Sequence, residues 1–354
     1  MKNAPLLTIS ASISALSLAL ATPTYAQQSN AVSTEGNRVS DDFHGTEDIV
    51  VTAPYVERLD ILSGTSAISG EVLADKTRAQ LGDILTSLPG VSATSFSPGA
   101  SRPVLRGYQG NRVAVLTDGI GNIDASNTSA DHAVTIDTLT VERIEVLRGP
   151  QGALFGSGSL GGALRYVLAK PDMKSFGSTV QLGQSSVSQG KTAPSLYGMV
   201  NVPLNETAAL RVVAFDRTTP GYIDNKGTKT QDANKVLQTG GRILLTVKPM
   251  KELTATLVTS TQKTKQDDFS YVHGDPKKLE HNNPTLGRGT SQFDFSSLSV
   301  DYDLGSTTLT SITGNWKTKS NGVGDDTRLF GTLGMALPLV ARVSSGTSES
   351  QSQE

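Results

Sequence analysis

The hydrophobic pattern changes character three times along the chain. Leu6 to Ala21 is apolar with interspersed Ser and Thr, Lys2 precedes it, and Thr24-Tyr25-Ala26 leads into Gln27. A positive start, a short apolar run and a small residue before the cut predict a secretory signal peptide over residues 1–26, cleaved after Ala26. Residues 27–46 are polar without periodicity and read as a flexible tether. Glu47-Asp48-Ile49-Val50-Val51-Thr52-Ala53 follows, closed by Pro54. Its β-branched centre favours an extended backbone, and the proline stops further pairing. Two uses fit this segment equally: a strand donated to a partner's sheet, or the ordinary first strand of the next domain.

Residues 54–172 carry the pattern of a compact α+β domain. Leu81, Ile84, Leu85 and Leu88 fall on one helix face, which Pro89-Gly90 ends. Strand-like runs are expected near 103–106, 112–117, 143–147 and 163–168, with a turn at Asp118-Gly119. Glu142 to Arg148 mixes charged and apolar side chains on both parities, as a strand with protein on both faces would.

From residue 177 onward the period becomes two. Val180 and Leu182 alternate with Thr179 and Gln181, and Leu253, Ala255 and Leu257 with Thr254 and Thr256. Ile243, Leu245 and Val247 share one parity, and Leu244 breaks it. Leu298, Val300, Tyr302 and Leu304 oppose Ser297, Ser299, Asp301 and Asp303. Seven strands are predicted, near 177–186, 194–204, 207–217, 240–249, 252–262, 292–304 and 306–317. A soluble sandwich would alternate in the same way. The links separate the two cases. Those at Asn205-Glu206, Met250-Lys251 and Gly305 are minimal, whereas 218–239 and 263–291 are long and polar. Short turns at one end and long loops at the other are the habit of outer-membrane barrels. No apolar run is long enough for a spanning helix.

Composition narrows the function classes. A net charge of −2 leaves no nucleic-acid footprint, and the absence of cysteine excludes disulfides and thiolate metal sites. No nucleophile–base pair or fixed-spacing metal motif suggests an enzyme, and no cofactor is expected. Barrels that hold a plug have about 22 strands, and an eight-stranded barrel is filled by its own side chains. Residues 347–354 are polar and predict no strand. The expectation is therefore an incomplete barrel, with 177–354 its N-terminal portion. A wall of seven strands alone would leave open edges, which lipid does not tolerate, so a truncated, non-transporting fragment is one reading of the chain.

These segments, in this order, resemble the TonB-dependent receptors of Gram-negative outer membranes, from Glu47 to Glu354. Residues Glu47, Asp48, Ile49, Val50, Val51, Thr52 and Ala53 are similar to the TonB box. Similar to plug motifs are Leu81-Gly82-Asp83-Ile84-Leu85 with Leu88-Pro89-Gly90-Val91, and Leu105-Arg106-Gly107 with Asn111-Arg112-Val113 and Asp118-Gly119. A third runs from Val141 to Arg148-Gly149-Pro150 and on to Gly161-Gly162. Phe155 stands where the family usually has Tyr, and Arg165 where Asn is common. The resemblance implies an α+β plug followed by an antiparallel transmembrane β-barrel, in outer-membrane lipid. It also implies energised uptake, with the inner-membrane TonB complex as partner through the box. Arg106, Gly107, Asp118, Gly119, Arg148, Gly149, Pro150, Gly161 and Gly162 would be structural plug residues. Arg106 and Arg148 are expected to pair with acidic barrel residues, because a buried unpaired charge is costly.

The segments 95–102 and 121–135 are expected at the external face of the plug. The string Ser129-Ala130-Asp131-His132-Ala133 is similar to the zinc-uptake branch of the family, where an Asp-His pair binds metal. That implies Asp131 and His132 as ligands, with His273 and His281, beside Asp267 and Asp268, as candidates for the rest. Zinc normally wants at least three protein ligands. A ferric siderophore is the alternative substrate, which Arg102, Arg112 and Tyr108 would suit equally well.

Overall fold

The computed structural model describes residues 65–69, 85–86, 88–97, 100–121, 141–155, 158–327, 334–335 and 340–353. The expected signal peptide, tether and TonB box lie outside them, as do Asp131 and His132.

The first body is built from β1 (Thr65–Ser69), β2 (Val91–Ser97), β3 (Ala100–Leu105), β4 (Val113–Thr117), β5 (Ile120–Gly121), β6 (Val141–Arg148), a short helix α1 (Gly152–Phe155) and β7 (Gly162–Leu168). Its five-stranded sheet has the order β1-β6-β7-β4-β5, while β2 and β3 form a separate hairpin. Only β4 and β7 run parallel. Asp118 and Gly119, at φ 47° and 91°, make the tight turn from β4 to β5. Gly162 has φ 139°, and a Cβ there would stand 2.2 Å from the Leu147 carbonyl oxygen, so β7 reaches β6 only because no side chain intervenes.

The mixed pattern of β6 has the cause expected of it. Ile144, Val146 and Leu147 are buried, and so is Glu145. Glu145 receives Arg143 Nε at 2.8 Å and Arg165 Nη1 at 3.4 Å. Arg165 is the cross-strand partner of Glu145. The arginine that departs from the family pattern is thus the group that compensates a buried carboxylate.

The second body is an antiparallel wall. It comprises β8 (Gly177–Ser186), β9 (Thr192–Asn205), β10 (Ala208–Thr219), β12 (Val236–Met250), β13 (Leu253–Gln266), β15 (Gly289–Asp303), β16 (Thr308–Asp325) and β17 (Ala341–Gln353). The two-residue strands β11 (Asp224–Asn225) and β14 (Glu280–His281) pair in parallel within the loops. Among the described residues the wall has eight strands, each beside its sequence neighbours in the wall, with β8 and β17 at its two edges. Glu206-Thr207, Lys251-Glu252 and 304–307 turn the chain at one end, whereas 187–191, 220–235 and 267–288 do so at the other.

Two expectations need correction. Seven strands were predicted, and the structure adds an eighth, β17, in the polar stretch that predicted none. Several strands also run further than their apolar positions: β12 begins at Val236, and β16 extends to Asp325. Both corrections follow from the slant of the apolar surface on the face turned away from the first body. Along the register row Val202–Leu210–Leu245–Leu257–Leu298, the outward residues are apolar from β9 to β15, then turn polar at Thr313 and Gln353. Higher up, the row through Leu182 and Leu196 is apolar only on β8 and β9, and becomes Asp216, Thr239, Lys263, Gln292 and Lys319. Lower down, Leu253, Tyr302 and Leu309 carry it across β13, β15 and β16. The belt descends through the rows because strands of such a wall tilt by about 35–45° from the axis. The residues of β17 lie above it. They need no apolar face, and backbone pairing plus the Lys317–Glu349 contact at 2.7 Å hold them.

The opposite face of the wall carries a small apolar cluster of Tyr197, Val213 and Phe215 and, where the first body touches it, a larger one. There Leu244, Val258, Phe293, Phe295, Ile312 and Trp316 join one buried cluster with Val113, Ile120 and Leu164. Trp316 stacks on Phe293 with centroids 4.8 Å apart, and its Nε1–H donates to Thr318 Oγ1. Gly314 admits the close approach: a Cβ there would meet Ile120 Cγ1 at 2.7 Å.

Two tests follow. Leu298→Arg should destabilise the bilayer-folded chain by about 2–4 kcal/mol, while Asn315→Arg, above the slanted belt, should cost about 0–1. Denaturant titration in lipid vesicles measures both, and equal costs would remove the slant. Ile120→Asp places a carboxylate against Gly314 and Ile312. The chain's single tryptophan should then show red-shifted, quencher-accessible emission with far-UV dichroism retained.

Candidate functional site

The expected plug residues cluster at turns of the first body. Arg106, at φ 50°, precedes Gly107 and donates its backbone N–H to the Gly90 carbonyl at 3.0 Å. Gly149 donates its N–H to the Gly161 carbonyl at 3.1 Å, joining the segment that contains Pro150 to the Gly161-Gly162 turn. Asp118 accepts the Leu168 N–H at 2.9 Å, which ties the β4–β5 turn to the end of β7. A side chain on Gly149 would meet the Arg106 guanidinium, 3.5 Å from the Cβ position.

Arg148 Nη1 donates to Ser66 Oγ at 2.9 Å, a contact within the plug. Arg106 is exposed at its turn.

Other residues connect the plug to the wall. Segment 169–176 links β7 to β8, and Arg211 Nη1 donates to its Ala169 carbonyl at 3.0 Å. Asn201, buried on β9, donates through Nδ2 to the Asp172 and Ser175 carbonyls and accepts the Asp172 N–H. Neither residue had been singled out in the sequence. Leu244 did give a signal, as the residue that breaks its strand's alternation. It is the one that turns toward the plug.

At the long-loop end, β11 and β14 bind two loops together around Asp268. This carboxylate is fully buried. It accepts the Gly287 N–H at 2.7 Å, the Phe269 N–H at 2.8 Å and Asn225 Nδ2 at 3.0 Å. His281 Nε2 lies 3.4 Å away, and His281 is buried too. Burial opposes ionisation of Asp268, but its bonds to His281, Gly287, Asn225 and Phe269 outweigh that and hold the carboxyl below its ordinary value. Tyr271 stacks against His273 and leans on His281, at centroid distances of 5.4 and 5.6 Å. His273 is half-exposed and contacts Asn282 Oδ1 at 3.0 Å.

This arrangement revises the metal assignment for two of the four candidates. His281 is committed to a buried contact with Asp268, and the His273 ring contacts the Asn282 side chain. Asp267 turns the other way, toward Lys235 and Lys265. Among the described residues no three His, Cys, Asp or Glu side chains converge on a possible metal position. The sequence placed both histidines and Asp268 in one loop, but it could not show which of them face inward.

Comparison with known proteins fits this geometry. Residues 57–163 match the family model of the TonB-dependent receptor plug domain. A hemin receptor of Yersinia pestis is 34% identical over 156 residues, covering 43% of this chain and 23% of that protein. The vitamin B12 transporter BtuB of Vibrio vulnificus is 34% identical over 146 residues, covering 40% of the chain and 23% of the transporter. The chain thus matches about a quarter of the length of these curated relatives. In fold it is similar to the ferric-catecholate import receptor Fiu of E. coli K12, with a TM-score of 0.65 at 18% identity over 86% of this chain and 47% of that one. Residues 57–163 thus carry the sequence signature of a TonB-dependent receptor plug domain, and the strand wall beside them is similar in fold to such receptors.

Proposed function

We propose that this chain supplies the plug and adjoining wall strands of an outer-membrane receptor for energised uptake of a metal-bearing chelate. The observation that carries this reading is the plug lodged against the inner face of a wall whose outer face is an apolar belt. A soluble sandwich has no use for Leu182, Leu257, Leu298 and Leu309 on its water-facing side. Glu47 to Ala53 is the segment through which the TonB complex would couple, and residues 1–26 the signal that directs export.

A chelate is favoured over a bare zinc ion. Relatives take hemin and vitamin B12, and ferric-siderophore receptors share the fold. The zinc reading now rests on Asp131 and His132 alone, which is one ligand short of the usual minimum. Large chelates are gripped by many weak contacts across loops, so they do not require converging metal ligands.

Val50→Pro should abolish uptake while leaving ligand binding unchanged, because it removes one donor from the strand that the partner must pair with. Cells expressing the receptor would be supplied with hemin, cobalamin, a labelled ferric catecholate and labelled zinc. Uptake of zinc alone would overturn the chelate reading, and uptake surviving Val50→Pro would overturn the coupling assignment. The loop knot makes a separate prediction. Asp268→Ala leaves two buried N–H groups, Asn225 and His281 without their acceptor, and should destabilise the loops by about 3 kcal/mol. Since the Asp268 carboxyl is held low in the folded chain, the same protection should fade as pH falls through its folded value and be complete above the ordinary carboxylate range. Proteolysis rates of the 267–288 loop report both.

A further inference from the structure

The outer face of the wall carries a charged cleft above the apolar belt. It encloses roughly 710 Å³ at the long-loop ends of β9, β10, β12 and β13, just before β15, and its charged lining is Lys191, Asp232, Lys235, Lys265, Asp267 and Arg288. Parity fixes which side it opens on. Lys235 continues the outward parity of Ile243, Lys265 that of Leu257, and Arg288 that of Leu298, all three exposed on the belt face.

Four cations face two carboxylates. Asp232 lies 3.5 Å from Lys191, and Asp267 lies 3.2 Å from Lys235 and 3.5 Å from Lys265. In each pair the carboxylate is less than a third exposed and the ammonium more than half exposed. The acids thus sit at the floor and the cations at the rim. Arg288 makes no ion pair among the described residues. Lys263 and Lys319 extend the positive surface one row below, and Asp216 on β10 opposes it there. Directly beneath the β9 end, Leu182, Leu196 and Val200 stand exposed, and Leu196 is two positions from Pro194 of the cleft lining.

A cationic concavity with apolar strands below it matches an amphiphile, not a soluble anion. We propose that this cleft binds the phosphate headgroup of an anionic lipid of the outer leaflet, with the acyl chains laid along Leu182, Leu196 and Val200. Arg288 supplies a planar donor fork for a phosphate, and the lysines supply diffuse charge. The proposal rests on the belt being the lipid-facing surface.

The test uses the full chain folded in neutral detergent, with native mass spectrometry as the readout. The probes are a bisphosphorylated glucosamine lipid, its dephosphorylated form and inorganic phosphate. The phosphorylated lipid should be retained in preference to the dephosphorylated one, and excess inorganic phosphate should not displace it. Lys235→Gln, Lys265→Gln and Arg288→Gln together should weaken retention about a hundredfold, at roughly tenfold or less per charge. Asp267→Asn raises the net charge of the cleft and should strengthen it. Equal retention of the two lipids, or no response to either set of variants, overturns the proposal. Displacement by inorganic phosphate alone reassigns the cleft to a soluble anion and likewise overturns it. A chain that folds in detergent but fails these comparisons leaves the receptor reading standing. A chain that takes up no β-structure in detergent removes the lipid-facing wall, and with it both conclusions.

Discussion

The wall depends on one constraint: a strand presents alternate residues to two different surroundings and cannot exchange them without changing parity. On the proposed reading the surroundings are lipid on one side and either plug or water on the other. Every apolar residue is therefore assigned twice, by parity to a face and by height to a level. Leu298 and Phe295 lie on one strand, on opposite parities, and answer to different partners. In β15 the apolar character passes from the outer face to the inner one as the strand rises out of the belt and alongside the plug. Gly314 is the complementary device on β16, where the removal of a side chain lets Ile120 reach the wall.

Charges inside the chain are handled by local closure. Glu145 is answered by two arginines of its own sheet, and Asp268 by backbone donors, an amide and a histidine of its own loops. Neither reaches across from the plug to the wall. That junction is spanned by apolar contact, by the hydrogen bonds of Asn201 and Arg211 to the linking segment, and by attraction of Asp118 and Glu142 of the plug to Arg242 and Arg211 of the wall.

Much of this was legible in the residues, for definite reasons. Strands with an apolar outer face, such as those through Leu257 and Leu298, announced themselves because the lipid-facing half is uniformly apolar. β17 did not, because above the belt both faces meet water or protein and period two has nothing to contrast. Leu244 was legible as an irregularity, but its meaning needed the plug beside it. His281 was misread for a more basic reason. A buried histidine and an exposed one have the same letter, and only the fold of 267–288 around Asp268 distinguishes a structural contact from a ligand.

On the proposed reading, strand order also decides where a pull on the N-terminal segment is felt. Force applied ahead of residue 65 reaches β1 first. β1 is an edge strand of five residues paired only with β6, supported by the Arg148–Ser66 bond. Each ladder bond is worth about 0.5–1.5 kcal/mol net, so the whole attachment amounts to a few kcal/mol. β7 sits at the other end of the path. It has β6 and β4 on its two sides, and it continues into the segment that Asn201 and Arg211 fasten to the wall. A short edge ladder is thus loaded first, and the strand with a partner on each side and a fastening to the wall is loaded last. A plug built in this order would yield from its N-terminal edge while its C-terminal strand stayed on the wall, opening a path without releasing the domain.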